Sequence, residues 1–551
     1  MSESDVLIVG AGPVGLTLAI DLAWRGIGVT VVETRAPAAP PEPKCNHVAA
    51  RTMEIFRRLG VAEKIRNAGL PADYPHDISY RTSFTGQELT RIKIPCRRDR
   101  FTATDGPDCN WPTPEPPHRI NQIFLEPILF EHAVAQPRIR IISRTAVENV
   151  VVEDSSASVS LRDLDSGAVR RQNCRYLIGC DGARSVVRKA IGAELSGDAI
   201  VQRVQSTYIR ALGLIDLQQS ARAWGTGAIN PRRAGMVYAI DGSERWLVHN
   251  YLKPGEGDFD SVDRDFCLRT ILGVDAGFDY EIISKEDWYG RRLIANKFRD
   301  RSAFIAGDAA HIWVPYAGYG MNAGIADAMN LSWLLAAHLN GWAPAAILDA
   351  YEAERWPITS QVSKFAMSHA EAEIRRRGTV PDEIEDPGPL GERAREEVGR
   401  LTYEINVQQY ACAGLNFGTY YDRSPIIAYD GAEHPAYTMD HYTPSTVPGC
   451  RTPHLWREDG SSLYDAMGAG FTLLRFDPAV DVAALEAAAR ARAVPLKILD
   501  VEKSRAAIFG GNALVLSRPD QHVAWRGNQL PEDPARLIDR VRGAAGASIS
   551  P

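Results

Sequence analysis

No two of the eight cysteines in this 551-residue chain fall in a C-x-x-C. That excludes a zinc ribbon and offers no disulfide framework, so free thiols in a reducing compartment are expected, with no metal site. A basic surplus is also missing: Lys and Arg number 62 against 69 Asp and Glu, for a net charge of −7 and a pI of about 6.0. Nucleic acid and anionic membranes are therefore not expected partners. The opening "MSESDVLIVGAG" lacks the basic lead of a signal peptide. One uncharged stretch, Leu331–Leu348, is interrupted by His338, Asn340, Gly341 and Pro344, and reads as helix-turn-helix in a core. A cytoplasmic globular chain of roughly three or four domains is the expectation.

What is present is glycine in telling places. "DVLIVG" reads as a strand, "GPVGLTLAIDLAWRG" as a helix and "GVTVVE" as a second strand. At the first turn Gly10 permits the bend, Gly12 lets backbone approach a pyrophosphate, and Gly15 allows close helix–strand contact. Phosphate oxygens would meet the free N–H groups of the helix start at Pro13. Glu33 closes the second strand, at the spacing an acid needs to accept from ribose hydroxyls. This unit predicts a dinucleotide site without choosing between FAD and NAD.

A second junction runs from Ile305 to Leu331, "IAGDAAHIWVPYAGYGMNAGIADAMNL". An apolar strand ends at Gly307-Asp308, whose carboxylate is an acceptor for ribityl hydroxyls. A helix expected from about Met321 aims its N–H groups at an adjacent ring, where reduced flavin carries negative charge. Ala317, Gly318, Gly320 and Ala323 let backbone pass close to a flat ring. "CDGARSVVR" (Cys180–Arg188) is a third strand–turn–helix, and Val201–Trp288 alternates as an antiparallel sheet does. The acidic, Pro- and Gly-rich Gly378–Arg393 reads as a linker, ahead of a small α/β region.

Together the three fingerprints resemble the single-component FAD-dependent aromatic hydroxylases, group A flavoprotein monooxygenases with the p-hydroxybenzoate hydroxylase fold. Pro448–Phe476 is similar to the start of the thioredoxin-like C-terminal domain of the phenol hydroxylase branch. Without C-x-x-C, that domain would be structural or oligomeric, a homodimer being the candidate assembly. The implied fold class is α/β: a Rossmann-like FAD-binding domain (1–75, 106–195, 291–377) interleaved with an antiparallel-sheet substrate domain (76–105, 196–290). A linker (378–393) and a thioredoxin-like domain (394–551) would follow.

The resemblance carries the cofactor role onto Gly10, Gly12, Pro13, Gly15, Glu33 and Arg35. It adds Arg51, Gln122, Val147 and Asp181, then Gly307, Asp308, Pro315, Gly318, Gly320, Met321 and Asn322. Lys44 stands where an Arg commonly contacts FAD phosphate, and Pro315 would sit near the reactive carbon of the flavin. The implied cycle takes hydride from NADPH or NADH, and a flavin C4a-hydroperoxide formed with O2 hydroxylates a small phenolic ring. Asn46 occupies the place of a His or Asp near the substrate hydroxyl, and Asn accepts no proton at neutral pH. Either another base serves, from among His47, His249 and Tyr238, or the substrate is already acidic, such as a nitro- or halo-phenol or catechol. Trp224, Met236, Tyr238 and His249 are expected to line the pocket. Two other readings stand beside this one: a tailoring oxygenase of polycyclic, polyketide-like substrates, and a flavin-binding sensor that oxygenates nothing. No W-x-W-x-I-P occurs, which argues against a halogenase.

Overall fold

The computed structural model describes residues 4–44, 46–198, 200–218, 221–314 and 318–545. Its first sheet is built on Ser4–Val9, which pairs in parallel with Val29–Val32 on one side and Val169–Gly179 on the other. Ile139–Ile142 and Ala303–Ile305 extend it outward, again in parallel. These strands are apolar runs because helices cover them, the helix Pro13–Trp24 foremost, with ten of its twelve residues buried. A meander, Thr145–Val152 and Ala157–Asp163, continues antiparallel from Val169–Gly179.

A seven-stranded sheet forms the second layer, in the order Glu281–Gly290, Gln202–Arg210, Arg245–Tyr251, Ala234–Ala239, Gly225–Ile229, Ile78–Arg81, Glu88–Ile92. All its pairs are antiparallel except Gly225–Ile229 with Ile78–Arg81. Helix Arg264–Leu272 packs on one face, Ile271 lying where a Cβ on Gly235 would meet it at 2.5 Å. The other face is left to line a cleft. A two-stranded ribbon, His47–Val48 against His118–Arg119, supplies residues from the FAD-binding side to that cleft.

The acidic 378–393 segment is not a free linker. It is a turn between helices Ala350–Arg377 and Pro389–Tyr410, and Pro389 takes the first helical position, where its missing N–H has no partner to lose. The second of these helices belongs with the substrate sheet: a Cβ on Gly399 would fall 2.3 Å from the Leu89 carbonyl oxygen. The chain ends in a four-stranded sheet, ordered Leu496–Asp500, Phe471–Arg475, Leu514–Ser517, Val523–Gly527, with helices Ala483–Ala491 and Pro534–Val541.

Helix Tyr319–Leu339 is buried on nearly every side, as a helix apolar all round must be. Its Trp333 meets Phe471 of the last sheet edge-to-face at 6.2 Å. Ion pairs reinforce that joint. Arg518, fully buried, holds Glu354 at 2.6 and 2.8 Å and Asp520 at 2.7 Å. Among the described residues no helix is long and apolar enough to cross a membrane.

Candidate cofactor cleft and active site

Gly10 has φ +103°, and a Cβ there would stand 2.4 Å from the Cys180 carbonyl oxygen. A Cβ on Gly15 would stand 2.0 Å from the Gly10 carbonyl oxygen. Packing demands both glycines. Gly12 differs, since nothing among the described residues lies within 4 Å of where its Cβ would be and its φ of −74° suits any residue. Its bareness serves something outside the protein's own atoms, at the N-terminus of a helix, and a pyrophosphate fits there.

Glu33 Oε2 accepts from the Ala11 N–H at 2.7 Å and Oε1 from the Arg35 N–H at 2.9 Å. Burial pushes the Glu33 carboxyl up, but the Arg35 and Ala11 N–H bonds with the Arg35 charge outweigh it and hold it below its usual range. The Arg35 guanidinium reaches Glu126 at 2.8 Å, and Glu126 accepts from the Gln122 amide. Val147 is buried in the same core as Val32.

The other two fingerprints close on this turn. A Cβ on Gly307 would lie 3.0 Å from Val14, and one on Gly324 would lie 2.9 Å from the Gly307 Cα. Arg188 donates to the Ala309 carbonyl at 3.1 Å, tying the middle motif to the third. Asp181 caps the short helix Val186–Ala190, accepting from Ser185 Oγ at 2.6 Å and Val186 N–H at 2.7 Å. Asp308 is exposed, yet desolvation raises its carboxyl pKa against the pull of His311 and Lys44. A carboxylate open to solvent at this strand end can accept from ligand hydroxyls.

The helix after this junction begins at Tyr319, two residues before the sequence suggests, because Gly318 takes the left-handed conformation at φ +62° as its N-cap. A Cβ on Gly318 would collide with His47 Cβ at 2.9 Å. Asn322 latches the two segments: its Oδ1 accepts from Ala49 N–H at 2.8 Å and its amide donates to the His47 and Gly318 carbonyls at 3.1 and 2.6 Å. Among the described residues, Trp313 Nε1 comes nearest to a Cβ on Gly320, at 4.0 Å, and Met321 is half-buried against the main core. Pro315, with Tyr316 and Ala317, lies outside the described residues.

Opposite stands an aromatic wall on the open face of the seven-stranded sheet. Met236 pairs with His249 in register, and Tyr238 follows on the same face. Ring centroids run Trp224–Tyr238 at 5.2 Å, Tyr238–His249 at 5.8 Å and His249–Trp288 at 6.0 Å. His249 is half-open to the cleft and still desolvated, so its pKa falls to about 4 and it is neutral at pH 7. Its Nδ1 has no hydrogen-bond partner among the described residues.

Residues 3–366 match the family model for the FAD binding domain, and residues 445–547 that for the aromatic-ring hydroxylase C-terminal domain. The chain belongs to the FAD-dependent aromatic-ring hydroxylases. It is 31% identical to 4-methyl-5-nitrocatechol 5-monooxygenase of Burkholderia, over 98% of each chain. It is 30% identical to the FAD-dependent monooxygenase apdD of Emericella nidulans, covering 98% of this chain and 91% of that one. Among solved structures, the rebeccamycin biosynthetic enzyme RebC with reduced flavin superposes with a TM-score of 0.89 at 34% identity, covering 98% of this chain and 99% of that one.

In this hydroxylase two residues given a cofactor role, Arg51 and Lys44, hold partners within the protein. Arg51 is turned to the C-terminal domain, donating to Glu54 at 2.6 Å, to the Asp520 carbonyl at 2.7 Å and to Gln521. It lines a cavity of about 60 Å³ beside helix Tyr319–Leu339. Lys44 reaches the Glu286 carboxylate of the substrate sheet at 2.9 Å, and neighbouring Glu42 accepts from Ser284 on the same strand. Asn46 accepts from the Asn121 amide, Asn121 being the N-cap of helix Gln122–Val134.

Arg119 touches the His47 ring, and a guanidinium can only donate. Arg119 and its partner Asp108 are absent from the sequence-derived site. The signal available was Arg119 itself, three residues before Gln122 in "HRINQ".

Buried histidines give this hydroxylase an acid limit. Burial, aided at His76 and His454 by nearby arginines, lowers His76 to about 3 and His249 and His454 to about 4, from 6.5. Each is neutral when folded but protonates below pH 6.5 when unfolded, so stability is full above pH 6.5 and is lost progressively toward pH 4. The melting temperature is expected to fall over that window, and His249→Phe to make the fall shallower. A melting temperature constant from pH 6.5 to 4.5 would refute the assignment.

Proposed function

We propose that this hydroxylase uses FAD, NADPH or NADH, and O2 to insert one oxygen atom into the ring of a phenolic aromatic substrate. The observation that carries the reading is the aromatic wall Trp224–Tyr238–His249–Trp288, joined to Gly318 through Arg119, 5.2 Å from the Trp224 ring, and His47. Bound FAD, once reduced, would supply the oxygen chemistry. The residues present fit it: the bare Gly12 at a helix start, Glu33 and Asp308 as hydroxyl acceptors, and the helix from Tyr319 aimed at the ring site.

The chain's own task is to bind, orient and exclude water. Gly318 and Asn322 hold the ribbon residue His47 against the ring site, so the distance between flavin and wall is fixed by packed backbone. Flat rings on the wall offer stacking to a flat substrate. Tyr238 and His249 offer polar edges toward the cleft, and neutral His249 accepts a hydrogen bond more readily than a proton. With Asn46 unable to act as a base, a substrate of low pKa suits the site, as an acidic phenol or nitrocatechol would.

A second reading is a polycyclic, polyketide-like substrate. A relative named aklavinone 12-hydroxylase RdmE (Streptomyces purpurascens, 31% identical) supports it, while one named phenol 2-monooxygenase (Pseudomonas, 28% identical) supports the first reading. NADH and NADPH oxidation by the FAD-loaded protein against phenols, catechols, nitrophenols, nitrocatechols and polycyclic phenols, with product mass, separates them. Ligand-stimulated oxidation with one added oxygen, or loss of nitro, is expected. Oxidation that no aromatic ligand stimulates, yielding only hydrogen peroxide, would overturn the proposal.

A further inference from the structure

The cavity of about 60 Å³ that Arg51 lines lies where three parts of the chain meet. Asn330 comes to it from helix Tyr319–Leu339, Arg355 from helix Ala350–Arg377 and Thr52 from helix Ala50–Arg58. Asp520 and His522 reach it from the C-terminal domain. Its polar groups are not spent on one another. Arg355, 4% exposed, donates from Nε to Asp327 at 2.8 Å and from Nη2 to the Ala323 carbonyl at 3.5 Å, which leaves Nη1 over. Thr52 is 2% exposed, and its hydroxyl makes no hydrogen bond among the described residues. His522 is 8% exposed; Asp520 lies 3.4 Å from its Nδ1, and Nε2 has no partner among the described residues.

The charge around the cavity asks for no ion. The guanidiniums of Arg51, Arg355 and Arg451 that line it each face a carboxylate already, Glu54 or Asp327. Burial lowers the His522 pKa against the pull of Asp520, so its ring is neutral at pH 7. A neutral imidazole donates or accepts at Nε2 according to its tautomer, a hydroxyl does both, and a guanidinium only donates. The volume has room for about two to four water molecules. Such a set, in such a space, calls for a small neutral ligand that both donates and accepts.

We propose that this cavity is an internal hydration site, in which water molecules join Arg355 Nη1, the Thr52 hydroxyl and His522 Nε2. The water continues a polar path from the last domain to the cofactor junction. Arg355 passes it to Asp327, and Asp327 accepts from the Gly307 N–H at 3.2 Å, next to Asp308. The C-terminal domain thus holds the flavin side of the protein through solvent as well as through direct ion pairs. The site does not depend on which aromatic the wall receives.

The test uses the FAD-loaded full chain and Thr52→Val, which keeps the shape of the side chain and removes its hydroxyl. If water fills the cavity, the hydroxyl has a bond to lose, and the melting temperature is expected to fall by about 1–3 °C. A dry cavity gives the opposite sign, because removing a buried hydroxyl without a partner stabilises. A melting temperature that stays or rises in Thr52→Val therefore overturns the inference. Oxygen-17 relaxation dispersion, which counts long-lived internal waters, is expected to show at least one fewer in the variant, and an equal count overturns it too. Crystals of the wild type under xenon pressure give a reading that needs no variant, and they decide if Thr52→Val does not fold. Water within hydrogen-bond distance of Arg355 Nη1, Thr52 Oγ1 and His522 Nε2, with no xenon beside it, is expected. Xenon in the cavity would show it to be dry and apolar, and chloride there would show an ion site; either sinks the proposal.

Discussion

Gly15→Ala is expected to yield protein that folds poorly and is isolated without FAD. The new Cβ would fall 2.0 Å from the Gly10 carbonyl oxygen, a backbone atom that cannot swing aside as a side chain would. Relief requires helix Pro13–Trp24 to move off strand Ser4–Val9, and overpacking of this kind costs about 1–3 kcal/mol or more. The same shift displaces the N–H groups that would meet the pyrophosphate, so FAD affinity should drop at least about 100-fold. Gly12→Ala is the informative companion. With nothing among the described residues within 4 Å of its Cβ, it should melt like the wild type and still lose FAD, because the methyl enters the space kept for phosphate. Flavin fluorescence titration and melting curves read both variants. Gly12→Ala with wild-type FAD affinity would show that the cofactor does not use this turn.

The second large effect concerns the joint with the C-terminal domain. Glu354→Gln leaves Arg518, fully buried, with Asp520 as its remaining carboxylate. Removing one partner of a buried pair typically costs about 3–5 kcal/mol, because the charge left behind has no water to return to. Ser424, which donates to Glu354, and Asn330, which donates to it at 2.6 Å, lose a charged acceptor as well. The double variant Glu354→Gln with Arg518→Met removes both large charges and should recover much of the loss. Denaturant unfolding of the four proteins completes the cycle. A single-variant loss below about 1 kcal/mol would mean that water already reaches the pair.

Much of this was legible in the sequence because glycine and proline punctuate it. The Gly10–Gly15 turn and the strands "GFTLLRF" and "LKILDV" fall where local pattern puts them, and the strand expected to end at Gly307-Asp308 ends at Ile305. Local pattern failed where a charged side chain chose between distant partners. Arg51 has a place in a cofactor motif, but its acceptors Asp520 and Gln521 are brought to it only by the folding of the last domain. Lys44 and Glu286 meet because two domains face each other. The Arg100–Asp108–Arg119 group sits in a turn-rich stretch without periodicity, and its burial depends on the ribbon and on Trp224. The start of the long helix was misplaced by two residues because a left-handed Gly318 leaves no mark in composition.

Helix Tyr319–Leu339 begins at the ring site and, through Trp333, shares its core with Phe471 of the final sheet. One rod is thus built to the tolerances of two domains at once. A change in the last sheet is felt at the same rod that sets the cofactor's position, and a cofactor-side change is felt in the last sheet. Such a pair is inherited together: recombination that exchanged the C-terminal domain alone would leave a mismatched roof over the rod, so the two parts should share one history.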